Sequence, residues 1–206
     1  MLSIHTLATA VVAISELTAA HRDYLVELDQ VNGDGDLGIS MDDGFRALAA
    51  FLEDEKEEDL GQALRGGAKV FNSSAPSSLG TILSFGLMGM AKSLRGTSEA
   101  TLEQTAAAFA AGLENIMVKA ESKPGEKTIL DALAPAVDAL NSHVSDGAKA
   151  AFDAAAVAAA EGSEATRQMT AVHGRAAYSA SRSIGILDGG SVVGRLIFVG
   201  IAASLD

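Results

Sequence analysis

Apolar residues return every three or four positions along most of the chain, the period of a helix that buries one face. Leu7, Val11, Ile14, Leu17, Leu25 and Leu28, with His21 in the same register, predict a first helix over residues 3–28. Ser40, followed three residues later by Asp43, resembles a capping box and predicts a second helix through Phe45, Leu48, Ala49 and Leu52, up to the charged run Glu53 to Asp59. A third covers 60–70. The segment Asn72 to Ser78 reads as a loop of cap-forming residues, after which Leu79-Gly80-Thr81-Ile82-Leu83 opens an apolar helix.

Ser98 predicts the cap of a helix through Leu102, Phe109, Leu113 and Ile116, ended by the polar loop Glu121 to Glu126. Lys127 then begins a helix through Leu133, Val137 and Leu140. The Ala-rich stretch Asp146 to Val172 carries Phe152, Val157 and Met169 periodically, with Gly162 as its weak point. Gly174 to Ser183 reads as another helix, and Val193, Leu196, Ile197 and Val199 form a last one after Asp188-Gly189-Gly190-Ser191. No segment alternates as a strand does. The expectation is an all-α single domain of about eight helices over residues 1–206; in an up-down bundle, alternate connections share one end.

Composition sharpens this. The chain is 48% hydrophobic but only 4% aromatic and has no Trp, so the core is built from Ala, Leu, Val, Ile and Met, which suits close-packed helices. Without cysteine there are no disulfides, zinc thiolates or thiol nucleophiles. The apolar N-terminus, with His5 and Glu16 and no basic leading segment, does not read as a signal peptide, and the apolar run Leu79 to Ala91 is short of a membrane span. A cytoplasmic protein with no membrane role is expected. A net charge of -12 argues against nucleic-acid binding, which relies on basic patches. The same charge would repel a polyanion unless metal ions and local backbone N–H groups received it.

The densest chemistry lies in Asp29-Gln30-Val31-Asn32-Gly33-Asp34-Gly35-Asp36-Leu37-Gly38. Carboxylates this close repel and raise one another's pKa, so a hard cation such as Mg²⁺ is the natural occupant. Two plainer alternatives stand beside it: a solvated Asp/Gly turn, or an EF-hand with Asn32, Asp34 and Asp36 at loop positions one, three and five. The latter fits badly, because Leu37 stands where the turn glycine is required and Asp43 where a bidentate Glu belongs.

Four blocks in order resemble the nucleotide-binding L subunit of dihydroxyacetone kinase, DhaL. They are Asp29 with Gly33-Asp34-Gly35-Asp36-Leu37-Gly38 and Gly44-Phe45; Gly125-Glu126-Lys127-Thr128-Ile129-Leu130-Asp131; Gly174-Arg175-Ala176-Ala177-Tyr178 with Arg182-Ser183; and Asp188-Gly189-Gly190-Ser191. The resemblance implies a barrel of eight antiparallel helices binding ADP or ATP at one end through two Mg²⁺ ions. It implies Asp29, Asp34 and Asp36 as metal ligands and Arg175 as the catalytic cation beside the transferring phosphoryl group. Nucleotide contacts carry over to Leu37, Gly38, Ile39, Ser40, Ala120, Ile129, Arg175, Asp188, Gly189 and Gly190. Within Ser74-Ala75-Pro76-Ser77-Ser78-Leu79-Gly80, where the family often has Gly-Ala-Ser-Gly-Pro-Leu-x-Gly, they carry over to Ser74, Ala75, Ser77 and Ser78.

The chain departs from the family in Leu37 for a common His, Glu126 for Asp, and Gly189 for Pro. The resemblance further implies a K-type partner subunit that holds the short ketose. In one branch of the family a phosphotransferase-system M subunit recharges the nucleotide, and a homodimer is compatible with the chain. A nucleotide-binding adaptor without catalysis is the alternative. Lys127 reads as a solvated lysine at a helix start, and His5, His21, His143 and His173 match no ligand motif.

Overall fold

The structure, a computed structural model, describes residues 1–31 and 33–205, and at 179–182 the backbone alone. Asn32, a ligand in the EF-hand alternative, and the side chain of Arg182 from the third motif block lie outside the described residues. The described chain is helical: α1 (Ile4–Ala20), α2 (Arg22–Gln30), α3 (Leu37–Asp54), α4 (Leu60–Ser74), α5 (Ser78–Ser93), α6 (Leu102–Ala120), α7 (Leu130–Ser142), α8 (Ala148–Ala165) and α9 (Gly189–Ala203). Its only strand-like feature among the described residues is a single antiparallel bridge between Leu2 and Ala100.

Helices α1 and α3 to α9 pack in sequence around a ring that closes where α9 meets α1. Consecutive members joined by short connections run antiparallel. This is the expected eight-helix up-down barrel, and the ninth helix, α2, is extra, lying on α3. The count differs because the predicted first helix breaks at His21, whose ring Nδ1 sits 2.8 Å from the Leu17 carbonyl and whose backbone leaves helical geometry at φ -103, ψ 6.

Phe45, Phe71, Phe109, Phe152 and Phe198 point into the ring with Leu7, Ile14, Leu83, Ile116, Leu133 and Ile201, around a cavity of about 230 Å³. Rings touch edge-on, with Phe45 and Phe71 centroids 5.0 Å apart. Small residues set the helix spacing. Gly162 is no weak point: a Cβ there would overlap the Asp131 carbonyl, so glycine is what lets α8 approach α7.

Several helix ends move from their predicted places. Helix α3 begins at Leu37, a turn before Ser40, because Gly35 at φ 80 reverses the chain and Asp29 Oδ2 accepts the Leu37 N–H at 3.4 Å. Thr101, not Ser98, caps α6, in a capping box with Gln104. Helix α4 runs on through Ser74, leaving residues 75–77 as the connection to α5. Helix α7 starts at Leu130 rather than Lys127, and residues 175–183 form 3-10 turns rather than an α-helix.

Candidate functional site

The up-down order gathers one set of connections at one end of the barrel: residues 31–36, 75–77, 121–129 and 166–188. The N-termini of α3, α5, α7 and α9 therefore share that end, each presenting first-turn N–H groups without intrahelical partners.

The acidic loop is shaped by its own backbone. The Gly33 N–H meets the Asp29 carbonyl at 2.5 Å, and the Gly35 N–H meets Asp29 Oδ2 at 2.9 Å, folding the loop over the end of α2. A side chain at Gly33 would overlap the Asp29 carboxylate. As a result Asp29, Asp34 and Asp36 converge, with one ligand oxygen from each lying within 4.8 Å of the others. Asp29 is half-buried, and Asp34 and Asp36 are exposed. The set is all-oxygen, open on one side and close enough for shared coordination, which fits a hard divalent cation.

Charge is uneven across the three. Arg175 pairs with Asp34, and its hydrogen bond holds that carboxyl below its ordinary range. Asp36 moves the other way, raised by desolvation and then by the charges of Asp34 and Asp29. Arg175 comes from the 3-10 segment in the 166–188 connection, and its side chain is 62% exposed.

Around this cluster the structure assembles most of the other predicted residues. Gly189 packs so closely on Leu37 that a Cβ would overlap the leucine, and Gly190 lies against Ile129. Ser40 Oγ and Ser77 Oγ are 2.6 Å apart, joining the start of α3 to the cap of α5, where Ser77 also accepts the Gly80 N–H at 3.1 Å. Ile39 is 43% exposed beside this start, whereas Gly38 is buried against α2, where a Cβ would overlap the Arg22 carbonyl. Ser74 ends α4, Ser78 begins α5 and is exposed, and Ala75 is fully buried, so only its backbone faces the connection. Ala120 ends α6 at the same end, half-buried among core residues.

Asp188 caps α9, its Oδ2 accepting the Ser191 N–H at 2.7 Å. Burial pushes its carboxyl up to about 7, with Asp131 adding to the rise and the Ser191 hydrogen bond and Lys127 opposing it.

Lys127 is the main correction to the sequence reading. It is 6% exposed, and its Nζ lies 2.7 Å from the Thr166 carbonyl, 2.6 Å from Ser183, 2.7 Å from Ile186 and 3.3 Å from Met169. No periodicity could reveal this, because the acceptors lie 39 to 59 residues away in sequence. Two other residues of the same motif block take structural roles. Asp131 takes the Gly125 N–H at 2.5 Å and the Thr128 N–H at 2.7 Å, a cap that its place in the first turn of α7 signals. Glu126 Oε2 lies 2.6 Å from His173 Nε2, and that contact chiefly holds the Glu126 carboxyl down to about 2.

Among the described residues no helix is long and apolar enough to cross a membrane.

Comparison with known proteins agrees with this architecture. The chain is 28% identical over 178 residues to the "PEP-dependent dihydroxyacetone kinase, ADP-binding subunit DhaL" of Escherichia coli K12, covering 85% of each. It is 30% identical over 183 residues to the "PEP-dependent dihydroxyacetone kinase 1, ADP-binding subunit DhaL" of Listeria innocua, covering 89% of this chain and 87% of the relative. The crystal structure of the dihydroxyacetone kinase of C. freundii shares the fold, with a TM-score of 0.78 at 21% identity over 99% of this chain. This chain spans only 35% of that longer kinase. A family profile described as the DAK2 domain matches residues 31–203, from the acidic loop through the last helix. Because that match takes in α3 to α9, seven of the eight helices of the ring, and the connections that meet at its charged end, the chain belongs to the DAK2 domain family.

Proposed function

We propose that this chain is the magnesium-dependent nucleotide-binding subunit of a dihydroxyacetone-type kinase, presenting a phosphoryl group to a short ketose held on a separate K-type subunit in the cytoplasm. The observation that carries the reading is the convergence of Asp29, Asp34 and Asp36 within 4.8 Å, with Arg175 bound to their rim. The names of the bacterial relatives, which are ADP-binding subunits, support it. So does the C. freundii kinase, whose structure has been solved with AMP-PNP and Mg²⁺.

Asp29, Asp34 and Asp36 would hold Mg²⁺, with two ions proposed, and the metal would supply the positive charge that neutralises a transferring phosphoryl group. The chain's own groups supply the rest. Asp29 is held in place by the Gly35 and Leu37 N–H groups, so its carboxylate needs little reordering to serve as a ligand. The helix starts at Leu37 and Ser78 offer N–H groups to an anion, which answers how a chain of net charge -12 can accept phosphates. Ile39 and the Asp188-Gly189-Gly190 turn would face the rest of the nucleotide, with the buried Leu37 and Ile129 packed behind Gly189 and Gly190. Ser40, Ser74, Ala75, Ser77, Ser78 and Ala120 lie around it. Arg175, paired with Asp34 and 62% exposed, is the cation placed to meet the phosphate oxygens.

Nothing in the cluster offers a nucleophile or a carbonyl trap for the sugar. The connection bearing Arg175 shows solvent Val172, Tyr178 and Ile184, which are 54%, 93% and 55% exposed and suit burial against the K-type partner. A phosphotransferase-system M subunit is the proposed donor, in keeping with the "PEP-dependent" names of the relatives.

Thermal melts with Mg²⁺ and ADP, singly and together, test the reading. The pair is expected to raise Tm far more than either alone, because the acidic site needs the cation before phosphates can enter. Equal shifts from ADP in excess EDTA and from Mg–ADP would overturn the metal-bridged site. With dihydroxyacetone, phosphorylation should appear only after a K-type subunit is added.

A further inference from the structure

The Gly125-Glu126-Lys127-Thr128 block matches no phosphate-binding loop, and the proposed function makes no use of its lysine. Lys127 nevertheless has every donor of its ammonium answered within the chain. Its backbone is in the left-handed region at φ 60, which an L residue enters only when its surroundings demand it. Its ammonium has three protons, and three carbonyl oxygens lie at 2.6 to 2.7 Å: those of Thr166, Ser183 and Ile186. The Met169 carbonyl at 3.3 Å is a fourth, weaker partner. Every acceptor is a backbone carbonyl, so the cage depends on the path of the chain rather than on side-chain identity.

These carbonyls come from the two ends of one connection. Thr166 and Met169 stand where the chain leaves α8, and Ser183 and Ile186 stand just before it enters α9. Between them the chain runs out through the 3-10 segment that carries Arg175 and returns. Other bonds close the same base. Arg167 and Gly185 exchange two hydrogen bonds, at 2.8 and 2.9 Å, and Ser183 Oγ accepts the Ala171 N–H at 3.1 Å. The 121–129 connection grips the outgoing strand a second time, through Glu126 with His173 at 2.6 Å and through the Glu126 carbonyl with the Val172 N–H at 3.3 Å.

Beyond this base the loop's far side meets the rest of the protein through Arg175, paired with Asp34. We infer that Lys127 is a positioning residue, which gathers both ends of the 166–186 connection on its ammonium and thereby sets where Arg175 stands over the Asp29–Asp34–Asp36 cluster. The inference rests on the proposed function for what Arg175 meets there, and on geometry alone for the clamp. Desolvation lowers the Lys127 pKa, as expected of a buried ammonium, with Asp188 and Asp131 opposing the fall. The role is mechanical and extends a principle seen at many sites, where a functional side chain is only as well placed as the groups that hold its backbone.

A double-mutant cycle tests it, with Mg–ADP affinity measured by calorimetry. Lys127→Met keeps most of the length of the side chain and removes its charge and donors. Affinity should fall at least tenfold in the otherwise native protein, and by less than twofold when Arg175 is already Ala, because the lysine acts through the arginine. Additive losses would make Lys127 a general stabiliser and overturn the inference, as would unchanged affinity in Lys127→Met. Hydrogen exchange of the apo protein gives a readout independent of nucleotide. Amides of residues 170–178 should lose more protection in Lys127→Met than those of α3 to α6, whose loss follows only the change in global stability, and unchanged exchange at 170–178 would also refute the clamp. Should Lys127→Met fail to fold, Lys127→Gln retains two donors for the same carbonyls and carries the same cycle. If the native protein itself binds no Mg–ADP, the proposed function fails, while the exchange result still decides whether the clamp exists.

Discussion

Two charged clusters share one end of this barrel and are treated in opposite ways. Asp29, Asp34 and Asp36 stand together with two of the three exposed, and among the described residues Arg175 is their one ion-pair partner. Lys127 is buried, and every proton it owns is directed at a backbone carbonyl. A cluster whose charge is left open keeps its oxygens for something not yet bound; a cluster whose charge is fully answered within the chain can only hold the chain in shape. The first is how a binding site looks, and the second is how its scaffold looks.

The open cluster should show the largest loss of binding. Asp34→Asn and Asp36→Asn each remove one ligand charge while keeping the side chain nearly isosteric. Both should lose Mg–ADP affinity by a hundredfold or more and still fold, with Asp36→Asn gaining apo stability through relief of repulsion. Calorimetry with Mg²⁺ and an apo melt check this, and native affinity in both variants would remove the aspartates from the site.

At the closed cluster the expected loss is of stability. Lys127→Met leaves buried carbonyls without donors and should cost about 3 kcal/mol, measured by urea unfolding of the apo protein. A cost near zero would mean that the two clusters do not differ as described.

Asp188 lies between the two extremes, a half-buried residue whose carboxyl desolvation pushes from 3.8 up to about 7. Its folded pKa lies above its unfolded one, so between about pH 4 and pH 7 the unfolded chain gives up a proton that the folded chain keeps. Stability therefore falls as pH rises through that window and is flat above it. Asp188→Asn, still a competent helix cap, should raise stability at pH 8 by on the order of 2 kcal/mol and change it little at pH 4. Melts at both pH values check this, and an equal effect at both would show that the carboxyl does not titrate as its burial requires.

The smallest effect is expected at Ser77→Ala, which removes the cap of α5 and the hydroxyl partner of Ser40 for about 1 kcal/mol. A larger loss would mean that the link between the first two connections matters beyond capping.

The helices were legible because their apolar period is local: Phe45, Leu48 and Leu52 mark the inward face of α3 without reference to any other segment. The aspartates were legible for a similar reason, since Asp29, Asp34 and Asp36 lie within one turn and its flanking helix ends. Helix boundaries were less so. Ser40 and Ser98 look like caps, yet the starts of α3 and α6 went to other positions because Asp29 and Thr101 offered better partners for the first N–H groups. Gly162 read as a flaw because its reason, the Asp131 carbonyl of a neighbouring helix, is absent from its own stretch of sequence.

By itself the sequence determined an all-helical chain, the acidic loop, and the order of its motif blocks, since these depend on period, turn chemistry and residues a few positions apart. Only the tertiary structure decided that the ring closes α9 on α1, that Arg175 arrives at Asp34 from the far part of the chain, and that Lys127 is buried rather than solvated. The physical reason is distance along the chain. A lysine's place is set by the acceptors that surround it, and here those acceptors are main-chain carbonyls, which every residue carries and no sequence pattern distinguishes.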